Sequence, residues 1–222
     1  MKIAIFGDVH GFGPPSDTLA IDFIRQVVDR IEADVILQVG DLCFYRSFSR
    51  PVYWIYGNND SPRTVEAMER GEVEVHNLRH IKTGEVLSFS SGEERISVSG
   101  LNGAYDPLYY LYSKSQILSD GVGGYFVRED VESCLQLRNI DIFLVHGCPA
   151  GLGFGREPDY GVPDIKCLLE EIRPRYMFCG HAHFFRQVEY LGCQVYALAP
   201  SSQEYYVLDT ISGKLVRSNV LP

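Results

Sequence analysis

The chain has 222 residues, of which 45% are hydrophobic and 22% charged, enough apolar mass to bury a core without disulfide staples and the wrong composition for a disordered, collagen-like or coiled-coil protein. Its apolar runs, such as residues 3–6 and 142–145, are strand-sized and far short of a membrane span. The formal net charge of −9 argues against broad duplex binding, which needs a cationic face, yet permits a local anion site where bound divalent metals invert the field around carboxylates.

Residues 3–6 read as a first strand, entered directly from Met1 with no secretory n-region, so a cytoplasmic chain is expected. A Gly/Pro loop comes next, then a helix from about Ser16. Ser16 or Asp17 would cap it, and Ala20, Phe23, Ile24, Val27, Val28 and Ile31 form its apolar stripe. Val35–Val39 and residues 52–56 are the second and third strands, and Pro62 and Arg63 open a helix running to about Arg70. This β-α-β order implies right-handed crossovers and a parallel sheet.

Short strands at 73–75, 86–89 and 95–99 come next, separated by Gly-containing turns. Residues 101–128 are rich in Gly, Tyr and Ser. A helix is predicted over 129–137, a strand at Ile142–Val145, and a long Gly/Pro loop over 147–163. Pro163 starts a further helix that Pro174 stops after Ile172. Tyr176–Cys179 is a strand, and segments 187–190, 194–198, 205–208 and 214–218 pattern as a β-meander. The expectation is one α/β domain over 1–222, with two packed sheets and helices outside. The six cysteines form no C-x-x-C pair and read as reduced thiols.

The residues just after the apolar strands carry the chemistry. The strand ends run into Gly7-Asp8-Val9-His10, Gly40-Asp41, Gly57-Asn58-Asn59-Asp60, His146-Gly147 and Gly180-His181-Ala182-His183. Ligands of open α/β sheets bind at the carboxyl ends of strands. Five such ends would therefore present Asp8, His10, Asp41, Asn58, His146, His181 and His183 on one rim. The first motifs taken singly are ordinary turns and Gly180-His181-Ala182-His183 is a stronger signal, while the ordered set of five points to a metal site. Oxygen and imidazole donors in this number exceed one tetrahedral zinc and suit two borderline divalent ions, Mn, Fe or Zn. Two such ions roughly 3.5–4 Å apart clamp an in-line displacement at phosphorus and activate water at neutral pH. His76 and His80 flank a predicted turn and read as solvated surface groups.

This motif string resembles that of the calcineurin-like metallophosphoesterase family, D-x-H, G-D, G-N-H-[D/E], H and G-H-x-H, over residues 7 to 183. The resemblance implies a β-sandwich of two mixed sheets flanked by helices. It assigns Asp8, His10 and His183 to a first metal, Asn58, His146 and His181 to a second, and Asp41 to a bridge, with manganese the preferred ion. Asp41, Asn58, Asn59 and His146 are the expected catalytic positions. Asn59 departs from the pattern: most catalytic members carry a histidine there, credited with protonating the leaving oxygen. An asparagine amide offers a hydrogen bond but no acidic proton, and general acid catalysis is worth about 10²–10⁴-fold.

Diester hydrolysis is therefore the preferred reading, on a nucleotide or a single-stranded nucleic-acid end, and the similarly built lariat debranching enzymes keep nucleic acid in view. A non-catalytic scaffold and a phosphomonoesterase with a replaced acid are the alternatives. Residues 101–128 form a lid or substrate-specificity segment, with Gly121, Gly123 and Gly124 as hinges and the tyrosines as stacking rings, or else a packing segment. Arg46, Arg63 and Arg156 lie near motifs and could grip a phosphate. Cys43, Cys148 and Cys179 read as small fillers at strand ends.

Overall fold

The computed structural model describes residues 1–13, 17–154 and 161–219. One six-stranded sheet contains β1 (Lys2–Phe6), β4 (Val35–Val39), β5 (Val52–Ile55), β6 (Leu78–His80), β13 (Glu204–Asp209) and β14 (Lys214–Asn219), in the order β14-β13-β1-β4-β5-β6. The other contains β7 (Leu87–Ser91), β8 (Glu94–Leu101), β9 (Ile142–Val145), β10 (Tyr176–Cys179), β11 (Arg186–Tyr190) and β12 (Cys193–Ala197), in the order β11-β12-β10-β9-β8-β7. A two-stranded ribbon, β2 (Phe12–Gly13) with β3 (Thr18–Leu19), leads into α1 (Ala20–Arg30). The remaining helices are α2 (Pro62–Glu69), α3 (Lys114–Asp120), α4 (Arg128–Cys134) and α5 (Pro163–Ile172).

Both sheets are mixed, as expected. Strands β1, β4, β5 and β6 run parallel, as do β8, β9, β10 and β12, while antiparallel strands close three of the four edges and the parallel β6 the fourth. Residues 3–6 of β1 and strands β5, β9 and β10 are covered on both faces, which is why they read as unbroken apolar runs. In β1, Ile3 and Ile5 pack into the layer between the sheets, where Leu37, Val98, Leu144 and Phe178 meet them. Ala4 and Phe6 face the other way, against Ile24 and Val28 of α1. On the outer face of the second sheet, Val145, Met177 and Val195 receive Ile165, Leu168 and Leu169 of α5.

Several expectations are corrected. Helix α1 begins at Ala20 with Leu19 at its N-cap and no side-chain cap, because residues 18–19 pair into the ribbon instead; Ser16 lies outside the described residues. Residues 73–75 form no strand. The strand partner of β5 is Leu78–His80, set by Asn77, which takes a left-handed turn (φ 57°) and donates its side-chain amide to the Phe48 carbonyl at 3.0 Å. The C-terminal strands are two hairpins rather than one meander. β11–β12 edges the second sheet, and β13–β14 edges the first beside β1. Helix α3 within 101–128 is an addition, started by a reciprocal capping box between Ser113 and Gln116.

Candidate metal centre

The carboxyl ends of β1, β4 and β5 in one sheet meet those of β9 and β10 in the other. The Val9 N–H donates to the Asp41 carbonyl at 3.0 Å, joining the ends of β1 and β4, and the His146 ring places Nδ1 3.0 Å from the Val39 carbonyl, which stitches the second sheet to the first at this rim. The seven sequence-selected donors all lie there.

Asp8, His10 and His183 form one group whose donor atoms lie within 4.8 Å of one another. His183 Nε2 is 2.7 Å from Asp8 Oδ2 and 3.1 Å from His10 Nε2. Asp8, Asp41 and His146 form a second such group. His146 Nε2 lies 3.4 Å from Asp41 Oδ1 and 3.1 Å from Asn58 Oδ1. His181 joins through its backbone N–H, which donates to both Asp8 oxygens at 3.0 and 3.2 Å, and its ring stands edge-on to His146 at 5.1 Å.

Local backbone makes these approaches feasible. A Cβ on Gly57 would lie 2.3 Å from Asp41 Oδ1, and one on Gly180 would lie 2.5 Å from Asp8 Oδ1. Glycine at those two positions keeps open the space that the carboxylates occupy. Asp41, His181 and His183 hold φ values of 58°, 63° and 59°. Left-handed backbone at non-glycine residues costs energy and clusters at functional sites.

Electrostatics tie the buried half together. Burial pushes the His146 imidazole down, but its hydrogen bond to Asp41 and the Asp8 and Asp41 charges outweigh this and raise its pKa to about 9. Burial likewise raises Asp41, yet His146 and the Asn59 donors win and hold its carboxyl well below the usual range. Loss of water around its ring and the neighbouring His146 charge lower His181. The hydrogen bond to Asp8 raises His183. The same carboxylate charges that favour a proton on His146 would favour a bound cation, and the two would compete. Two buried carboxylates ringed by imidazoles and one amide oxygen, in space that a Cβ would fill, fit divalent ions of the borderline class. The fixing of His146 Nδ1 on a backbone carbonyl, with Nε2 facing inward, is the outer support that metal-binding histidines receive.

Asn59 is held against Asp41. Its N–H donates to Oδ1 at 2.9 Å and its amide Nδ2 to Oδ2 at 2.6 Å. Two residues escape the sequence reading. Asp60 is 3% exposed and accepts from the N–H groups of Leu42, Cys43 and Gly57, stapling the Asp41 loop to the Asn58 loop. Burial is the main cause that lifts its carboxyl to about 6. Its signal is the acidic position closing G-N-x-[D/E]. Asn102, 1% exposed, accepts from the Tyr56 N–H and faces His80 Nε2 at 2.9 Å; no motif marks it.

His80 is a correction. Its side chain is only 10% exposed, stacks on Tyr56 and reaches Glu69, whereas His76 is a surface group beside Glu74. Arg63 is committed to the carbonyls of Leu118 and Ser119, Arg46 pairs with Asp22, and Arg156 lies outside the described residues. Cys148 and Cys179 are buried fillers. Burial, then the Asp60, Asp41 and Asp8 charges, push the half-buried Cys43 thiol up to about 12, which leaves it unreactive.

A lariat debranching enzyme of Arabidopsis thaliana is 26% identical over 160 residues, covering 60% of this chain and 36% of that protein. The chain therefore spans about a third of the length of this curated relative. Among solved structures, TT1561 of Thermus thermophilus aligns with a TM-score of 0.70 at 18% identity, over 99% of this chain and 98% of the other. GAP50, the anchor in the inner membrane complex of Plasmodium, aligns at 0.57 and 11% identity, over 99% and 84%. The sulfate thiohydrolase SoxB of Thermus thermophilus aligns at 0.55 and 13%, over 99% and 56%. An anchor and a thiohydrolase on one architecture show that the fold alone assigns no substrate. The sequence profile of the calcineurin-like phosphoesterase family matches residues 1–185, and the chain belongs to that metal-dependent family.

Proposed function

We propose that the chain is a dinuclear metal-dependent phosphodiesterase acting on a nucleotide or a single-stranded nucleic-acid end. The observation that carries this reading is the convergence of Asp8, His10, Asp41, Asn58, His146, His181 and His183 from five strand ends onto one rim. Asp8, His10 and His183 would hold one ion, Asn58, His146 and His181 the other, with Asp41 shared. When bound, two divalent ions, manganese by preference, supply Lewis-acid stabilisation of the phosphoryl oxygens and a water nucleophile at neutral pH.

The chain's own groups orient this set. His146 donates from Nδ1 to the Val39 carbonyl and so presents Nε2. The His181 N–H fixes Asp8, and Asn59 fixes Asp41 through two hydrogen bonds. Asn59 therefore positions a carboxylate and holds no acidic proton for the leaving oxygen. Monoester transfer passes through a loose transition state that loads charge onto that oxygen, so the missing donor penalises alkyl monoesters most. The similarity to a lariat debranching enzyme and the acidic net charge support a local nucleic-acid or nucleotide substrate rather than long duplexes.

The test is turnover of p-nitrophenyl phosphate and bis(p-nitrophenyl) phosphate by protein stripped of metal and reloaded with Mn²⁺. Metal-dependent cleavage that favours the diester is expected. Preference for monoesters, or silence on both substrates in protein that holds its metals, would overturn the reading.

A further inference from the structure

The rim beside Asn58 is finished by residues 101–128. The Gly103 N–H donates to the Tyr56 carbonyl at 2.7 Å, and Ala104 and Tyr125 form a parallel bridge. A Cβ on Gly124 would come within 1.9 Å of the Gly57 carbonyl oxygen, and one on Gly123 within 2.9 Å of that of Asn58. Residues 123–125 are thus pressed onto the loop that carries a proposed metal ligand. Arg63, at the start of α2, clamps the end of α3 through its bonds to Leu118 and Ser119.

The tyrosines of this segment divide into two groups. Tyr105 and Tyr110 pack on Phe126, and the Tyr110 hydroxyl donates to Asp164 at 2.6 Å; these two serve the core. Tyr125 stacks on Tyr109, with ring centres 5.3 Å apart and planes 25° from parallel, and Tyr109 meets Tyr112 edge-on at 5.6 Å. All three of these rings are half-buried. Among the described residues their hydroxyls make no hydrogen bond. Gly123 and Gly124 hold the backbone just before Tyr125 against the Asn58 and Gly57 carbonyls, which places this ring pair beside the Asn58 loop.

We propose that Tyr125, backed by Tyr109, is a specificity-determining wall on which the nucleobase next to the scissile phosphate stacks. Such a face accepts any base, because every base presents a π-surface. The charge distribution favours it as well. Of the candidate phosphate-gripping arginines among the described residues, Arg63 is held by α3 carbonyls and Arg46 by Asp22, which leaves the stacked rings as the described contact surface beside the rim. The inference rests on the phosphodiesterase reading for the reaction, and its binding arm stands apart from it.

Two diesters with one leaving group separate the terms: the p-nitrophenyl ester of thymidine 5′-monophosphate and methyl p-nitrophenyl phosphate. The Mn²⁺-loaded protein is expected to favour the nucleoside ester by about tenfold or more in kcat/KM, carried by KM. Tyr125→Leu, which keeps apolar volume without a π-face, should collapse that ratio, Tyr109→Leu should reduce it, and Tyr125→Phe should preserve it. In parallel, calorimetric titration compares thymidine 5′-monophosphate with inorganic phosphate on the same proteins. A base increment present in the wild type and lost in Tyr125→Leu supports the wall even if no diester is turned over, which would fault the reaction alone. A wild type with no base increment, or an increment that Tyr125→Leu retains, would overturn it.

Discussion

The two halves of the proposed centre are built differently. In one, Asp41 and His146 are 1% and 0% exposed, and backbone packing sets their places: the Val39 carbonyl holds the ring and Gly57 clears the carboxylate. In the other, the His10 and His183 side chains are 33% and 44% exposed and lean on each other and on the buried Asp8. Water competes for the open half and is excluded from the closed one, so electrostatic contacts are stronger in the closed half. The closed half should therefore keep a metal that the open half exchanges.

Four substitutions probe this asymmetry. Asp41→Asn removes the carboxylate shared by both ions, and diester turnover should fall by about 10³-fold or more; retained rates in folded, metal-replete protein would deny the bridge. Gly57→Ala drives a Cβ against Asp41 Oδ1. It should weaken the closed half's metal by about 100-fold while the open half still binds, as read by calorimetric Mn²⁺ titration. His183→Ala removes a donor from the open half, which already holds its ion more loosely, and a loss of about tenfold or more should release that ion while the closed half keeps its own. Asp60→Ala strips three N–H groups of their acceptor. Urea unfolding should report about 2 kcal/mol lost, with most of the ligand set still in place.

The asymmetry also marks how far the sequence can be read. Strands β1, β4, β5, β9 and β10 are legible because each is a largely apolar run that leads into glycine or histidine, and the donors after them can be named without coordinates. Which donors share a group depends on the packing of one sheet on the other, and no spacing along the chain encodes that; the partition comes from the family resemblance. Local pattern places a strand at 73–75 instead of β6 because short apolar runs look alike, while pairing with β5 and the Asn77 turn make the choice. The C-terminal segments are legible as short strands, but their pattern shows neither that they pair as two hairpins nor which sheet edge each joins. His80 reads as a surface group because its partners, Glu69, Tyr56 and Asn102, approach from other elements. The α3 capping box is legible at Ser113 and Gln116, yet the surrounding glycines and tyrosines obscure it.

Metal content decides whether the centre is dinuclear and divided, and it is measured on protein equilibrated with Mn²⁺ and freed of unbound ion. About two ions per wild-type chain are expected, with about one left in His183→Ala and about one in Gly57→Ala. A wild type that holds no more than one ion, or two variants that each still hold two, would contradict a dinuclear centre divided between a closed half and an open one.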